Sequence, residues 1–261
     1  MSIYLELTGE FNRDGLRAIL SSGQAVVFHR LALMSKDGDW ILRENPADLD
    51  FILDVLTRHR ARYRLGAPLD VRWLSKGWSS HFEFEQDGIR VRTDFVTRPP
   101  RISAERLACM WVEQETGEIP VVNPVDLCEL KKTNREKDYA VIGELARLIE
   151  EPADWLRFSR SARDILEAYR KDPGIAGEAM ASRGIRTVDL RSRESLEAAL
   201  DAERRRLIRA NEERLLRYRR ASAEWAGAWT DIQRSCSAMS LPDMHRHLVE
   251  SGTRLLPFEP E

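Results

Sequence analysis

The sequence predicts an α+β fold in which a mixed sheet with helices is followed by an all-helical C-terminal domain. Three observations carry this. Helical and strand patterns alternate along the first 150 residues, two period-two runs flank Asp87-Gly88, and only helical periodicity remains beyond Pro152. Pro152 interrupts the helical pattern and sets the expected domains at 1–151 and 152–261.

Each element follows from local pattern. Arg13 to Ser22 reads as a short helix, with Leu16, Ile19 and Leu20 at helical spacing and Gly23 closing it. Gln24-Ala25-Val26-Val27-Phe28 is a continuous apolar run that reads as a buried strand, and His29 to Lys36 as a helical turn or its continuation. Ala47 to Leu53 alternates carboxylates with apolar residues, a strand pattern, and Val71 to Leu74 reads as another strand. The clearest signal is a hairpin, His81–Glu85 and Ile89–Val96 around an Asp-Gly turn, ended by Pro99-Pro100. Asn123-Pro124 opens a helix whose apolar residues run from Leu127 to Leu148. Helices are then expected over Asp154–Tyr169 and, after Pro173-Gly174, over about Ser195–Ile232.

Composition bounds the function. The 261 residues carry 41 Lys+Arg against 43 Asp+Glu, a net charge of −2, which excludes a polybasic protein that coats nucleic acid or anionic membrane. Cys109, Cys128 and Cys236 are odd in number and scattered, so neither a disulfide framework nor a paired-cysteine metal knuckle is expected. No signal-like start or membrane-length apolar run is seen, so a cytoplasmic chain without membrane association is expected.

The acids are the sharpest chemical signal. On a strand, Asp48 and Asp50 would project to the same side, a charge pair that a hard divalent cation would neutralise. Asp94, on the second arm of the hairpin, supplies a third carboxylate. Three such acids on adjacent strands suit a two-metal phosphoryl or nucleotidyl transfer centre, with two shared ligands and one acid at the acceptor hydroxyl.

The order helix, apolar strand, two-acid strand and later isolated Asp resembles the polymerase-beta-like nucleotidyltransferase superfamily. The run Val125-Asp126-Leu127-Cys128-Glu129-Leu130-Lys131-Lys132-Thr133-Asn134-Arg135-Glu136-Lys137-Asp138 is similar to a Lys/Arg helix of bacterial minimal nucleotidyltransferases, including abortive-infection-type toxins. The resemblance spans about residues 10–150. It implies a Mg²⁺- or Mn²⁺-dependent enzyme that moves a nucleoside monophosphate from a nucleoside triphosphate to a hydroxyl of RNA or protein, with a cognate antitoxin as partner. Asp48, Asp50 and Asp94 would hold the metals, Asp94 also helping to remove the acceptor proton. Lys131 and Arg135, sharing a helix face, would grip the phosphates.

Two departures stand out. The family places Gly-Gly or Gly-Ser after the first strand, where this reading puts His29-Arg30, so Arg30 would contact phosphate instead. The spacing to Asp48 is also stretched by Ser35 to Pro46, where Asp37-Gly38-Asp39 suggests an extra turn, and in addition Val141 replaces a second acid after Lys137-Asp138. The missing glycines favour the competing reading, a catalytically degenerate relative that binds or regulates. Glu129-Leu130-Lys131 also spells the end of a nuclease metal motif, which requires a strand there. The five histidines make no zinc pattern, and P-loop, dinucleotide and serine-hydrolase motifs are absent. The arginines between Arg204 and Arg220 read as a solvated helix face or as an RNA or partner surface.

Overall fold

The computed structural model describes residues 2–260. The chain divides into two compact units, Met1–Val122 with Leu216–Glu261, and Asn123–Leu215. The boundary expected at Pro152 therefore falls inside the second unit, and the chain returns to the first unit within its longest helix.

In the first unit, α1 (Ile3–Phe11), β1 (Ala18–Ser21), α2 (Ser22–Phe28), β2 (Asp37–Leu42) and α3 (Pro46–Arg58) lead to β3 (Arg62–Tyr63) and α4 (Val71–Leu74). The hairpin β4 (Ser80–Gln86) and β5 (Ile89–Val96) follows, then α5 (Ala104–Glu113). The five strands lie in the order β1-β2-β5-β4-β3. Among the described residues, β2 and β5 pair in parallel and the other strand pairs are antiparallel. The hairpin stands where the alternation places it, and Asp87 and Gly88 take the positive φ angles, 53° and 74°, of a two-residue turn.

One face of the sheet is covered. Phe11 of α1 packs edge-on to Trp40 at 5.2 Å, Trp40 stacks on Phe95 at 5.6 Å, and Phe82 and Tyr63 continue the aromatic run. The indole N–H of Trp40, buried in this layer, donates to Thr8 Oγ1 at 3.0 Å.

Several strand and helix expectations are reversed. Residues 13–17 form no helix, and Ala18–Ser21 is a strand buried on both faces. The apolar run 24–28 lies in helix α2, because a short buried run satisfies either geometry and periodicity cannot choose. Ala47–Leu53 belongs to helix α3. Asn45 caps it by accepting from Ala47 N–H at 3.0 Å, Pro46 starts it, and Leu49, Ile52, Leu53 and Leu56 bury a helical stripe. Val71–Leu74 is likewise a helical turn, capped by Asp70.

The second unit is helical: α6 (Pro124–Leu130), α7 (Glu136–Ala146), α8 (Pro152–Phe158), α9 (Ala162–Lys171), α10 (Pro173–Ser182), a 3₁₀ turn and α11 (Arg193–Ala221). The helix expected from Asn123 is thus broken over 131–135, and the one expected over 154–169 breaks at Ser159. Leu156, Ile165, Met180, Leu196 and Leu200 centre its core. Beside that core the Glu203 carboxylate, 4% exposed, accepts from Arg183 at 2.7 and 3.0 Å and from Arg160 at 2.5 Å.

The chain re-enters the first unit along the end of α11, then forms α12 (Ala223–Ser235) and α13 (Leu241–Leu255). Ser222 interrupts the long helix expected over 195–232. The α+β architecture with a five-stranded mixed sheet and a helical region is the one the sequence predicts. No helix among the described residues is long and apolar enough to cross a membrane.

Candidate active site

The face of the sheet opposite the aromatic layer carries the acids, but not the pair expected. Asp48 and Asp50 lie on α3, where residues two apart point about 200° away from each other around the axis. Asp48 pairs with Arg17 Nε at 3.1 Å, and the charge of Asp50 acts on His245 of α13. Helical geometry separates them, so they form no shared ligand pair.

The strand geometry required of Asp48 and Asp50 is met by Asp37 and Asp39. These begin β2 and alternate with Gly38 and Trp40, which face the covered layer. Asp39 is the direct partner of Asp94 on β5, and Asp37 of Arg92. On the other side Ser21 of β1 pairs with Asp39, and His81 of β4 pairs with Asp94. Ser21, Asp39, Asp94 and His81 therefore form one row across four strands, with Asp37 two residues away on the same face.

The sequence signal for this pair was Asp37-Gly38-Asp39, which reads as an extra turn because Asp-Gly is a turn dipeptide. The glycine has another cause. A Cβ at Gly38 would lie 2.4 Å from the Trp40 ring and 2.5 Å from Tyr4 Cδ1. Gly38 marks a close approach of α1 to the strand, not a reversal.

Electrostatics at the row are strong. Asp94 Oδ1 accepts from His81 Nδ1 at 2.7 Å and from Arg64 Nη1 at 3.3 Å. Asp37 Oδ1 is covered and makes no hydrogen bond, its nearest cation being Arg92 Nη1 at 3.7 Å. Burial first, then the charges of Asp37 and Asp39, push the Tyr4 phenol above its ordinary value. Its hydroxyl donates to Lys36 O at 2.7 Å, just before the acid pair.

An oxygen-only donor set with one covered, unbonded carboxylate oxygen has the chemistry a hard divalent cation requires. Among the described residues, no three His, Cys, Asp or Glu side chains already converge as a metal cage. Arg64 and Arg92 instead supply the positive charge beside these acids.

The first strand also moves. With β1 at Ala18–Ser21, the residues that follow it are Ser22, at φ 51°, and Gly23. A Cβ on Gly23 would come within 2.2 Å of Ser35 Oγ, so the small residue lets the loop before β2 close over the start of α2. His29-Arg30 instead ends α2, with Arg30 exposed at φ 62°.

Lys131 and Arg135 do not share a helix face. Lys131 caps the end of α6 and is buried, whereas Arg135 caps the start of α7 and bonds Asp138 Oδ2 through Nε at 2.9 Å. Both belong to the second unit, and the acidic row to the first. Glu129 is helical, which removes the nuclease reading of Glu129-Leu130-Lys131.

No protein-family model matches the chain, and no curated protein does. Among solved structures, a crystal structure from H. pylori described as a "putative nucleotidyltransferase" is similar at 10% identity. The match covers 81% of this chain and 94% of that one, with a TM-score of 0.39.

Proposed function

We propose that the chain is a nucleotidyltransferase whose acidic centre is Asp37, Asp39 and Asp94. The observation that carries this is the register: two acids on one face of β2, with Asp94 directly opposite the second. This satisfies the pattern of two ligands and one acid that the chemistry needs. Asp37 and Asp39 would hold the cation, and Asp94 is the acid at the acceptor hydroxyl. When bound, Mg²⁺ or Mn²⁺ would offset the negative charge of the triphosphate and of the departing pyrophosphate. Arg64 and Arg92, on the same face, add fixed positive charge for phosphate oxygens. Ser22-Gly23, in the order Ser-Gly, follows β1 where the family resemblance puts Gly-Gly or Gly-Ser. The same resemblance points to a hydroxyl of RNA or protein as acceptor, and to a cognate antitoxin as partner.

The test is metal-dependent transfer of labelled nucleotide from a nucleoside triphosphate. Asp39→Asn should abolish it with the fold intact by circular dichroism. Full transfer by that variant would sink the assignment.

The competing reading, a binding or regulatory module on the same fold, has one observation in its favour: His81 and Arg64 already engage Asp94. Calorimetry with Mg²⁺ and each nucleoside triphosphate separates the two. Enzyme function requires cation-dependent binding that Asp37→Asn removes.

A further inference from the structure

A second arrangement ends on the acidic row. Ser79 Oγ lies 2.9 Å from His81 Nε2, and His81 Nδ1 lies 2.7 Å from Asp94 Oδ1. An ionised carboxylate only accepts hydrogen bonds, so Nδ1 carries the imidazole proton. Nε2 of the neutral ring is then the acceptor, and the Ser79 hydroxyl donates to it. This is the order of groups that activates a serine: hydroxyl, base, and a carboxylate that orients the base.

The arrangement is held rigidly. Arg64 N–H donates to His81 O at 2.8 Å and Ala67 N–H to Ser79 O at 2.9 Å, so the segment beyond β3 clamps both residues. The buried Ser80 hydroxyl donates to Ala67 O at 2.7 Å between them. A Cβ at Gly66 would fall 2.4 Å from His81 Cδ2 and 2.9 Å from Ser79 O, so only glycine leaves the ring its position. Ser79 itself is partly exposed.

We propose that Ser79 is a nucleophile that accepts the nucleoside monophosphate in cis, forming a covalent nucleotidyl-serine. This rests on the nucleotidyl-transfer reading of the same face and names an acceptor for it, Asp94 then acting on the acceptor hydroxyl through His81. His81 shares that face with Asp94, Asp39 and Asp37, and Ser79, just before β4, reaches it through the His81 ring. Arg64, 3.3 Å from Asp94, adds a cation beside the relay. Such surroundings suit a polyphosphate with its cation better than an uncharged acyl group.

In the step, Ser79 Oγ attacks the α-phosphorus of a nucleoside triphosphate. The Oγ–Pα bond forms, the bond from Pα to the oxygen bridging the β-phosphate breaks, and pyrophosphate leaves with that electron pair. The hydroxyl proton passes to His81 Nε2, and Asp94 stabilises the imidazolium.

The experiment uses the full chain with Mg²⁺ and each of the four ribonucleoside triphosphates, read by intact mass and peptide mapping. A parallel sample without nucleotide receives a fluorophosphonate, which reports serine nucleophilicity directly. The expected result is one nucleoside monophosphate on the Ser79 peptide and fluorophosphonate on the same residue. Ser79→Ala should show neither, and His81→Gln should slow both by about 100-fold or more. Calorimetry with an α,β-methylene triphosphate measures binding without transfer. Binding with no adduct on Ser79 overturns this proposal and leaves the transfer reading standing, and absence of binding overturns both. Fluorophosphonate that fails to label Ser79, or labels it while nucleotide does not, also overturns the proposal.

Discussion

Asp39 on β2 and Asp94 on β5 are direct partners across a parallel strand pair of the sheet. Two like charges so placed are unfavourable unless positive charge lies nearby. That makes the pair a sensitive probe of function. Asp39→Asn should reduce metal-dependent nucleotide transfer by about 100-fold or more. Asp50→Asn, on helix α3, should leave it nearly unchanged. Equal loss in both variants would return the site to α3.

Gly38 is fixed by packing between the two strand acids. Gly38→Ala sets a methyl group against Tyr4 and Trp40 in a filled layer. It should lower stability by about 1–3 kcal/mol, read as a shift in the urea midpoint. A variant as stable as the parent would mean that α1 does not sit on β2.

His245 should make the chain acid-sensitive. Tyr63, whose hydroxyl accepts from Leu69 N–H at 3.1 Å, lies 2.7 Å from His245 Nδ1 and donates its own proton there. Burial is the main influence lowering the His245 pKa. Asp70 and Asp50 oppose it, and Arg72 reinforces it. The unfolded chain, with a histidine pKa of about 6.5, then binds more protons than the folded one. Stability from this group is present in full above that value and is lost as pH falls through it toward the depressed folded value. Urea unfolding at pH 7.5 and 5.5 should show the drop, and His245→Gln should flatten it.

Glu203 should be the most sensitive charge in the second unit. Burial, the largest single influence, pushes its carboxyl up. The hydrogen bonds and charges of Arg183 and Arg160 together hold it below the ordinary range. Glu203→Ala leaves the buried Arg183 guanidinium with Leu156 O and Ser159 O but without its counter-charge, and should cost about 3–5 kcal/mol. Calorimetric melting of the variant checks this, and a change under about 1 kcal/mol would mean that Arg183 finds other partners.

The sequence by itself determined what depends on neighbours along the chain. Alternation and the Asp-Gly turn located β4 and β5, and with them Asp94. Helical periodicity beyond Pro152 identified a helical region. Signals for α3 were also present in Asn45-Pro46 and in Leu49, Ile52, Leu53 and Leu56. The alternation of Asp48 and Asp50 competes with them over so short a run.

Only the tertiary structure decided which acids meet. β1 has four residues, buried on both faces, and carries no period of its own. It is a strand because β2 pairs with it, and β2 extends through Asp37-Gly38-Asp39 because β5 pairs with all three residues, β1 reaching only Asp39. Gly38 reads as a turn residue until the approach of Tyr4 supplies its reason. The Ser79, His81 and Asp94 relay likewise needs the register of β4 against β5, since a shift of one residue would turn His81 to the other face.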